Sequence, residues 1–159
     1  MCLNVITSNS PKTVSILILN GPNLNLQGIR QPEVYGTNKW QDLDKLLLDR
    51  FPNIIIDRFQ SNHEGILLDK IQSAITDYQG IIVNLGALSH YSYALADGIR
   101  SILPIPVIEV HLSNIYAREE SFRHHSVIAP ACVGSICGFG LYGYVLAVET
   151  ILRLLKKEK

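Results

Sequence analysis

The sequence predicts an α/β domain: one five-stranded parallel sheet, doubly wound, with helices on both faces. Short runs of branched apolar residues alternate along the chain with apolar stripes at helical spacing. The runs are continuously apolar rather than alternating, as expected for parallel strands covered on both sides. The chain has 159 residues, enough for one such domain to bury a core without disulfides.

Val14-Ser15-Ile16-Leu17-Ile18-Leu19 reads as a buried first strand, and Trp40, Leu43, Leu47 and Phe51 then fall on one helical face. Asn53 to Phe59 reads as a second strand, followed by a helix carrying Leu67, Ile71, Ala74, Ile75 and Tyr78. Gly80 to Asn84 is a third strand, and Tyr91, Leu95, Ile99 and Ile102 mark a third helix. Pro106 to His111 is a fourth strand and Gly134 to Gly138 a fifth, before a closing helix from Leu141 to Leu155. The crossovers between parallel strands should be right-handed. Residues 14–159 therefore read as a single domain, and the first 13 residues as a flexible extension.

Composition restricts the partners. Fourteen basic and 14 acidic residues cancel, so no net field draws the chain to nucleic acid or an anionic membrane. Cys2, Cys132 and Cys137 lack metal-ligand or CxxC spacing and read as reduced thiols, which with no signal-peptide pattern at the start points to a cytoplasmic protein. Ser126 to Val148 is uncharged and long enough to suggest a membrane span. Its Pro130, its four glycines and the charged continuation at Glu149 and Arg153 suit a buried strand, turn and helix better.

The carboxyl ends of strands in an open α/β sheet are where ligands bind. After strand one the chain presents Asn23, Arg30 and Tyr35 on a loop broken by Gly and Pro. After strand two come Asn62, His63 and Glu64, and after strand three Asn84, Ser89 and His90. After strand four come His111, Ser113, Asn114, Arg118 and Arg123. Such a rim suits a small, oxygen-rich anion, with arginines for a carboxylate or phosphate and amides and hydroxyls for alcohol groups. The GxGxxG and GxxxxGK[ST] phosphate motifs are absent, and Asn84 stands where a response regulator would need Asp.

Each residue has a structural reading as well. Tyr35 can pack its ring over the core, Arg30 can be a solvated loop charge, and Asn23 and Asn62 can bond their own turns. His63 and Glu64 can cap the helix that starts near Gly65, and the adjacent His124 and His125 read as structural.

Taken together, LNGPNLNLQGIRQPEVYG, FQSNHEG, NLGALSHYSYALAD, IEVHLSNIYARE, FRHHS and GFGLYGY resemble type II 3-dehydroquinate dehydratase, in that order and across nearly the whole chain from Val14. The resemblance implies a flavodoxin-like fold and a hydro-lyase that reversibly converts 3-dehydroquinate to 3-dehydroshikimate, in the shikimate or quinate pathway, without metal or organic cofactor. It also implies homo-oligomers, trimers that assemble into a homododecamer.

The resemblance assigns Tyr35 as the base that removes a proton alpha to the ketone. A phenol titrates near 10, so it needs a cation to serve at neutral pH, and Arg30 matches the family's arginine. Asn23 would meet the enolate charge through an ordered water, and His111 would protonate the departing hydroxyl as general acid. By the same resemblance Asn84, His90, Ser113, Arg123 and the backbone of Leu112 hold the substrate. Asp97 would reach a neighbouring subunit's site, while Glu109, which orients the imidazole, and Arg118 play supporting parts.

Gln31 stands where Glu is common in the family, Leu85 where Pro is common, and Ala96 where Arg is common beside Asp97. AREESFR carries one residue more than the usual spacing before Arg123. A Schiff-base route would need a lysine in an apolar setting. Lys12, Lys39, Lys45, Lys70, Lys156, Lys157 and Lys159 lie instead in polar tails or on expected helices, which favours an enolate. Two other classes of function use the same features: a binding module that senses a small carboxylate, and a structural ring-forming protein indifferent to Tyr35 and His111.

Overall fold

The computed structural model describes residues 13–28 and 39–157, so Arg30, Gln31, Tyr35, Cys2 and the expected N-terminal extension up to residue 12 lie outside the described residues. The elements are β1 (Ser15–Asn20), α1 (Trp40–Arg50), β2 (Ile55–Gln60), α2 (Glu64–Asp77), β3 (Gly80–Asn84), α3 (Tyr93–Ser101), β4 (Val107–His111), β5 (Gly134–Cys137) and α4 (Tyr142–Lys157). All five strands are parallel, in the order β2-β1-β3-β4-β5. The chain thus winds outward in both directions from β1 and β3, and the reversal of direction opens a crevice at their carboxyl ends.

The side chains of each central strand divide between two apolar layers. Leu17, Leu19, Ile81, Val83 and Val107 face α2 and α3, where they meet Leu67, Ile71, Leu95 and Ile99. Ile16, Ile18, Ile82, Ile108 and Val110 face α1 and α4, against Leu43, Leu47, Tyr144 and Val148. This period-two division explains why the strands read as unbroken apolar runs: both faces are covered. The uncharged stretch from Ser126 to Val148 resolves into β5 and the first two turns of α4, and among the described residues no helix is long and apolar enough to cross a membrane.

Local chemistry sets the helix starts. The Asp42 carboxylate accepts from the backbone N–H of Lys39 at 2.7 Å, one half of a capping box for α1. Ser92 Oγ accepts from Leu95 N at 3.1 Å to cap α3, and donates to the Glu64 carboxylate. Glu64 therefore ties α2 to α3. The His63 side chain, expected as a cap, makes no capping bond; its backbone N–H donates to Ser61 Oγ at 3.0 Å.

The crevice depends on a close approach of the loops after β1 and β3. Gly21 N donates to Asn84 O at 2.8 Å, and a Cβ at Gly21 would stand 2.5 Å from the carbonyl oxygen of Leu85. Leu85, at the position where the family commonly has Pro, is fully buried. Because the obstructing atoms are backbone, the contact admits only glycine. Gly21→Ala should cost about 1–3 kcal/mol in denaturant unfolding through overpacking, and should lower activity by parting the two loops.

Candidate active site

The carboxyl ends of β1, β3 and β4 enclose a cavity of about 130 Å³. Asn23, Asn84, His90, His111, Leu112, Ser113, Arg118 and Arg123 all line it, as the sequence leads one to expect, together with Gln27, Gly86 and Ala87. Asp97 does not. It is exposed on α3, where Arg100 pairs with it at 2.9 Å, while the adjacent Ala96 is buried. Within this chain an exposed carboxylate one helical turn from an arginine finds that arginine first.

At the first wall, Asn23 adopts the left-handed conformation, with φ 66°. Its backbone N–H donates to Asn62 Oδ1 at 3.0 Å, and Gln60 Nε2 donates both to Asn62 Oδ1 at 3.1 Å and to Gly21 O at 3.2 Å. Asn62 thus clamps the neighbouring loop rather than its own turn. Trp40 Nε1 donates to Leu24 O at 2.6 Å and fixes the far side of the same loop.

Beneath the cavity, Asn84 Nδ2 donates to Tyr144 Oη at 3.0 Å, and Tyr144 Oη donates to Asn20 Oδ1 at 2.8 Å. Tyr144 is completely buried, and burial pushes its phenol well above its ordinary pKa, so it acts as a neutral hydroxyl relay. Helical spacing marks Tyr144 only as a core residue. Its hydroxyl has a further part that the spacing does not reveal: it fixes the amide of Asn84 from 60 residues away.

At the opposite wall, Glu109 and His111 lie two residues apart on β4, hence on one face of the strand. His111 Nε2 stands 3.0 Å from Glu109 Oε1, a close carboxylate–imidazole contact made without a linear hydrogen bond; both side chains are buried. Burial tends to raise the Glu109 pKa, but His111 and the hydroxyls of Ser126 and Ser135 outweigh it and hold the carboxyl below its ordinary value. The His90 ring stacks on His111 with centroids 5.9 Å apart. Burial lowers the His90 pKa, so the ring is neutral at neutral pH. Its Nδ1 lies 2.8 Å from His125 O, and a carbonyl can only accept, so the proton sits on Nδ1 and Nε2 is left as an acceptor.

Arg123 Nε and Arg118 Nε approach the same Glu120 oxygen, at 3.3 and 3.7 Å. The additional residue in AREESFR therefore leaves Arg123 on the cavity wall. His124 Nε2 lies 2.8 Å from Arg118 O and supports that loop, a structural part as its sequence suggests. Cys132 and Cys137 are free thiols; burial, with a smaller effect of the Glu109 charge, pushes Cys132 up to about 12, too high for a thiolate at neutral pH. Among the described residues no group of three or more His, Cys, Asp or Glu side chains is placed to hold a metal ion.

The arrangement offers a histidine backed by a carboxylate, two guanidinium groups, and amides fixed in orientation. It suits proton transfer to a small carboxylate-bearing molecule.

Comparison with known proteins agrees. A family model described as dehydroquinase class II matches residues 14–152. The 3-dehydroquinate dehydratase of Bacillus subtilis is 54% identical over 138 residues, covering 86% of this chain and 92% of the relative. That of Clostridium acetobutylicum is 47% identical over 146 residues, covering 91% and 100%. The crystal structure of type II dehydroquinase from Butyrivibrio crossotus superposes with a TM-score of 0.83 at 45% identity, covering 87% of this chain and 97% of that one.

Tyr144→Phe should strand Asn84 Nδ2 and Asn20 Oδ1 in the interior. We expect a loss of about 1–3 kcal/mol in urea unfolding, together with a raised KM because Asn84 loses its fixed orientation.

Proposed function

The chain belongs to the class II dehydroquinase family and carries out the family's dehydration of 3-dehydroquinate, which places it in the shikimate pathway; we propose that it does so through an enolate, with His111 as the general acid. The observation that carries this reading is the buried Glu109–His111 pair at the wall of the anion-binding cavity.

In the first step Tyr35, as phenolate, takes the proton alpha to the ketone, and its charge is favoured by Arg30. The electron pair moves onto the ketone oxygen, where Asn23, acting through a water, meets the developing charge. In the second step the enolate collapses, the carbon–oxygen bond of the hydroxyl breaks, and a proton from His111 leaves with that oxygen as water. With Nε2 directed at Glu109, Nδ1 is the nitrogen available to substrate, so the acid form of His111 carries a proton on both nitrogens, gives up the one on Nδ1 and keeps the one that faces Glu109. Asn84, Ser113, the Leu112 backbone and the acceptor Nε2 of His90 bind the substrate hydroxyls, and Arg123, with Arg118 beside it, holds the carboxylate.

No metal or organic cofactor takes part in these steps. Residues 14–159 act as one catalytic domain, in the cytoplasm. We infer the assembly of trimers into a homododecamer as well; the exposed aromatic side chains of Tyr91, Tyr93, Tyr116, Phe122 and Phe139 offer surface for it, and the exposed Asp97 can reach a neighbouring subunit. Light scattering of the purified protein checks that assembly: a mass near twelve protomers is expected, and a monomer contradicts it.

The direct test mixes protein with 3-dehydroquinate and follows ultraviolet absorbance of the conjugated enone. Absorbance should grow, and should continue to grow after borohydride treatment, since no lysine imine forms. Tyr35→Phe, Arg30→Ala and His111→Ala should each lower kcat by about 10²–10⁴-fold with much smaller changes in substrate binding. Turnover close to wild type in any of them would remove that residue from the mechanism, and binding without turnover in the unaltered chain would favour a sensor of the same ligand.

A further inference from the structure

The catalytic imidazole is held by Glu109, and Glu109 in turn is held by two hydroxyls from separate parts of the chain. Ser126 Oγ donates to Glu109 Oε1 at 2.6 Å, and Ser135 Oγ donates to Glu109 Oε2 at 2.7 Å. Ser135 sits directly opposite Glu109 in the β4–β5 register, so its side chain emerges on the same face. Ser126 arrives from the loop that follows the two histidines.

The Ser126 proton has little choice of direction. Its oxygen already accepts from the backbone N–H groups of Ile128 at 3.2 Å and Ala129 at 3.0 Å, which occupies both lone pairs. The single hydroxyl proton must then go to an acceptor. The alternatives are Glu109 Oε1 at 2.6 Å and Ser89 O at 3.3 Å, and the shorter bond to a charged oxygen is the stronger. The backbone turn at 128–129 therefore aims the hydroxyl, the hydroxyl orients the carboxylate, and the carboxylate presents Oε1 to His111 Nε2 at 3.0 Å.

We propose that Ser126, seconded by Ser135, is a positioning residue for the dehydration: it locks Glu109 as an acceptor facing His111 and so keeps Nδ1 of the imidazole turned to the substrate. The proposal rests on His111 acting as the acid. A carboxylate without these donors would be free to rotate about its last torsion, and the imidazole would lose its fixed partner in a buried site.

The test is a double-mutant cycle on kcat between Ser126→Ala and Glu109→Gln. Ser126→Ala should lower kcat about tenfold or more with KM changed less than about twofold, as expected for one lost hydrogen bond to a charged group. Ser126→Thr, which keeps the hydroxyl, should recover most of the rate. In the Glu109→Gln background the same Ser126→Ala change should cost less than about twofold. Nitrogen-15 NMR of the imidazoles, recorded at a pH where His111 is neutral, should show its remaining proton on Nε2 in the unaltered protein, and a loss of that preference in Ser126→Ala.

A wild-type kcat in Ser126→Ala, or equal losses in both backgrounds, overturns the proposal and leaves Ser126 as a turn residue only. Ser135 lies on an exposed strand where substitution spares the Ser126 turn, so Ser135→Ala gives a second reading: a fall of about threefold in kcat is expected, and no fall contradicts its part. Failure of the underlying reading is distinct, because His111→Ala would then remain active. An inactive His111→Ala beside a fully active Ser126→Ala defeats the positioning inference alone.

Discussion

A carboxylate buried in the middle of a parallel sheet is the constraint on which this site depends. Glu109 is 1% exposed, with Val83 on one side of it in the sheet register and Ser135 on the other. A charge in that position is stable only if paired and hydrogen-bonded on both oxygens. The requirement draws three segments together: β4 supplies His111, β5 supplies Ser135, and the loop before Ile128 supplies Ser126. The cost of burying the charge is thus met by groups that also hold the His111 imidazole at the cavity wall. Stability and chemistry share the same contacts.

The opposite side of the crevice solves a different problem with neutral groups. Asn20 and Asn84 are neighbours in register at the ends of β1 and β3, where both strands leave the sheet and their amides become buried. One phenol from α4 links the two. Trp40 packs edge-on against that ring, at 5.8 Å between centroids, and also bonds the loop after β1. The cavity therefore has one wall fixed by a carboxylate–imidazole pair and another by an amide–phenol–amide chain. Each wall has a fully buried anchor, Glu109 in the one and Tyr144 in the other.

The elements were largely legible because each apolar run has one reading. Gly80–Asn84 and the start of α1 at Trp40 follow directly from the run and the stripe, and so does the placement of site residues just after each strand. Glu109 and His111 could be paired from their spacing of two on a strand. What escaped the sequence was contact over distance. Nothing local joins Ser126 or Ser135 to Glu109, or Tyr144 to Asn84, and an Asn such as Asn62 bonds its own turn as readily as a neighbouring loop. The ends of β2 were blurred for another reason: it is an edge strand with Ile55, Asp57 and Arg58 exposed, so burial does not sharpen its pattern.

Charge balance connects the two halves of the chemistry. Glu120 approaches both Arg118 and Arg123, and these cations, after its own backbone N–H, hold its carboxyl below the ordinary range. Two positive charges and one negative leave this part of the wall with a single net positive charge, which on the proposed function answers one substrate carboxylate. A second unanswered cation would attract the anion more strongly in ground state and transition state alike, and binding that is uniform across the two does not speed the chemical step. On the proposed mechanism the rate comes instead from groups that respond as charge moves, the enolate donors and the acid. The chain arranges its charges accordingly: the guanidinium groups are moderated by Glu120 at the exposed rim, while the Glu109–His111 pair is kept in the low-dielectric interior, where a fixed orientation has its greatest effect.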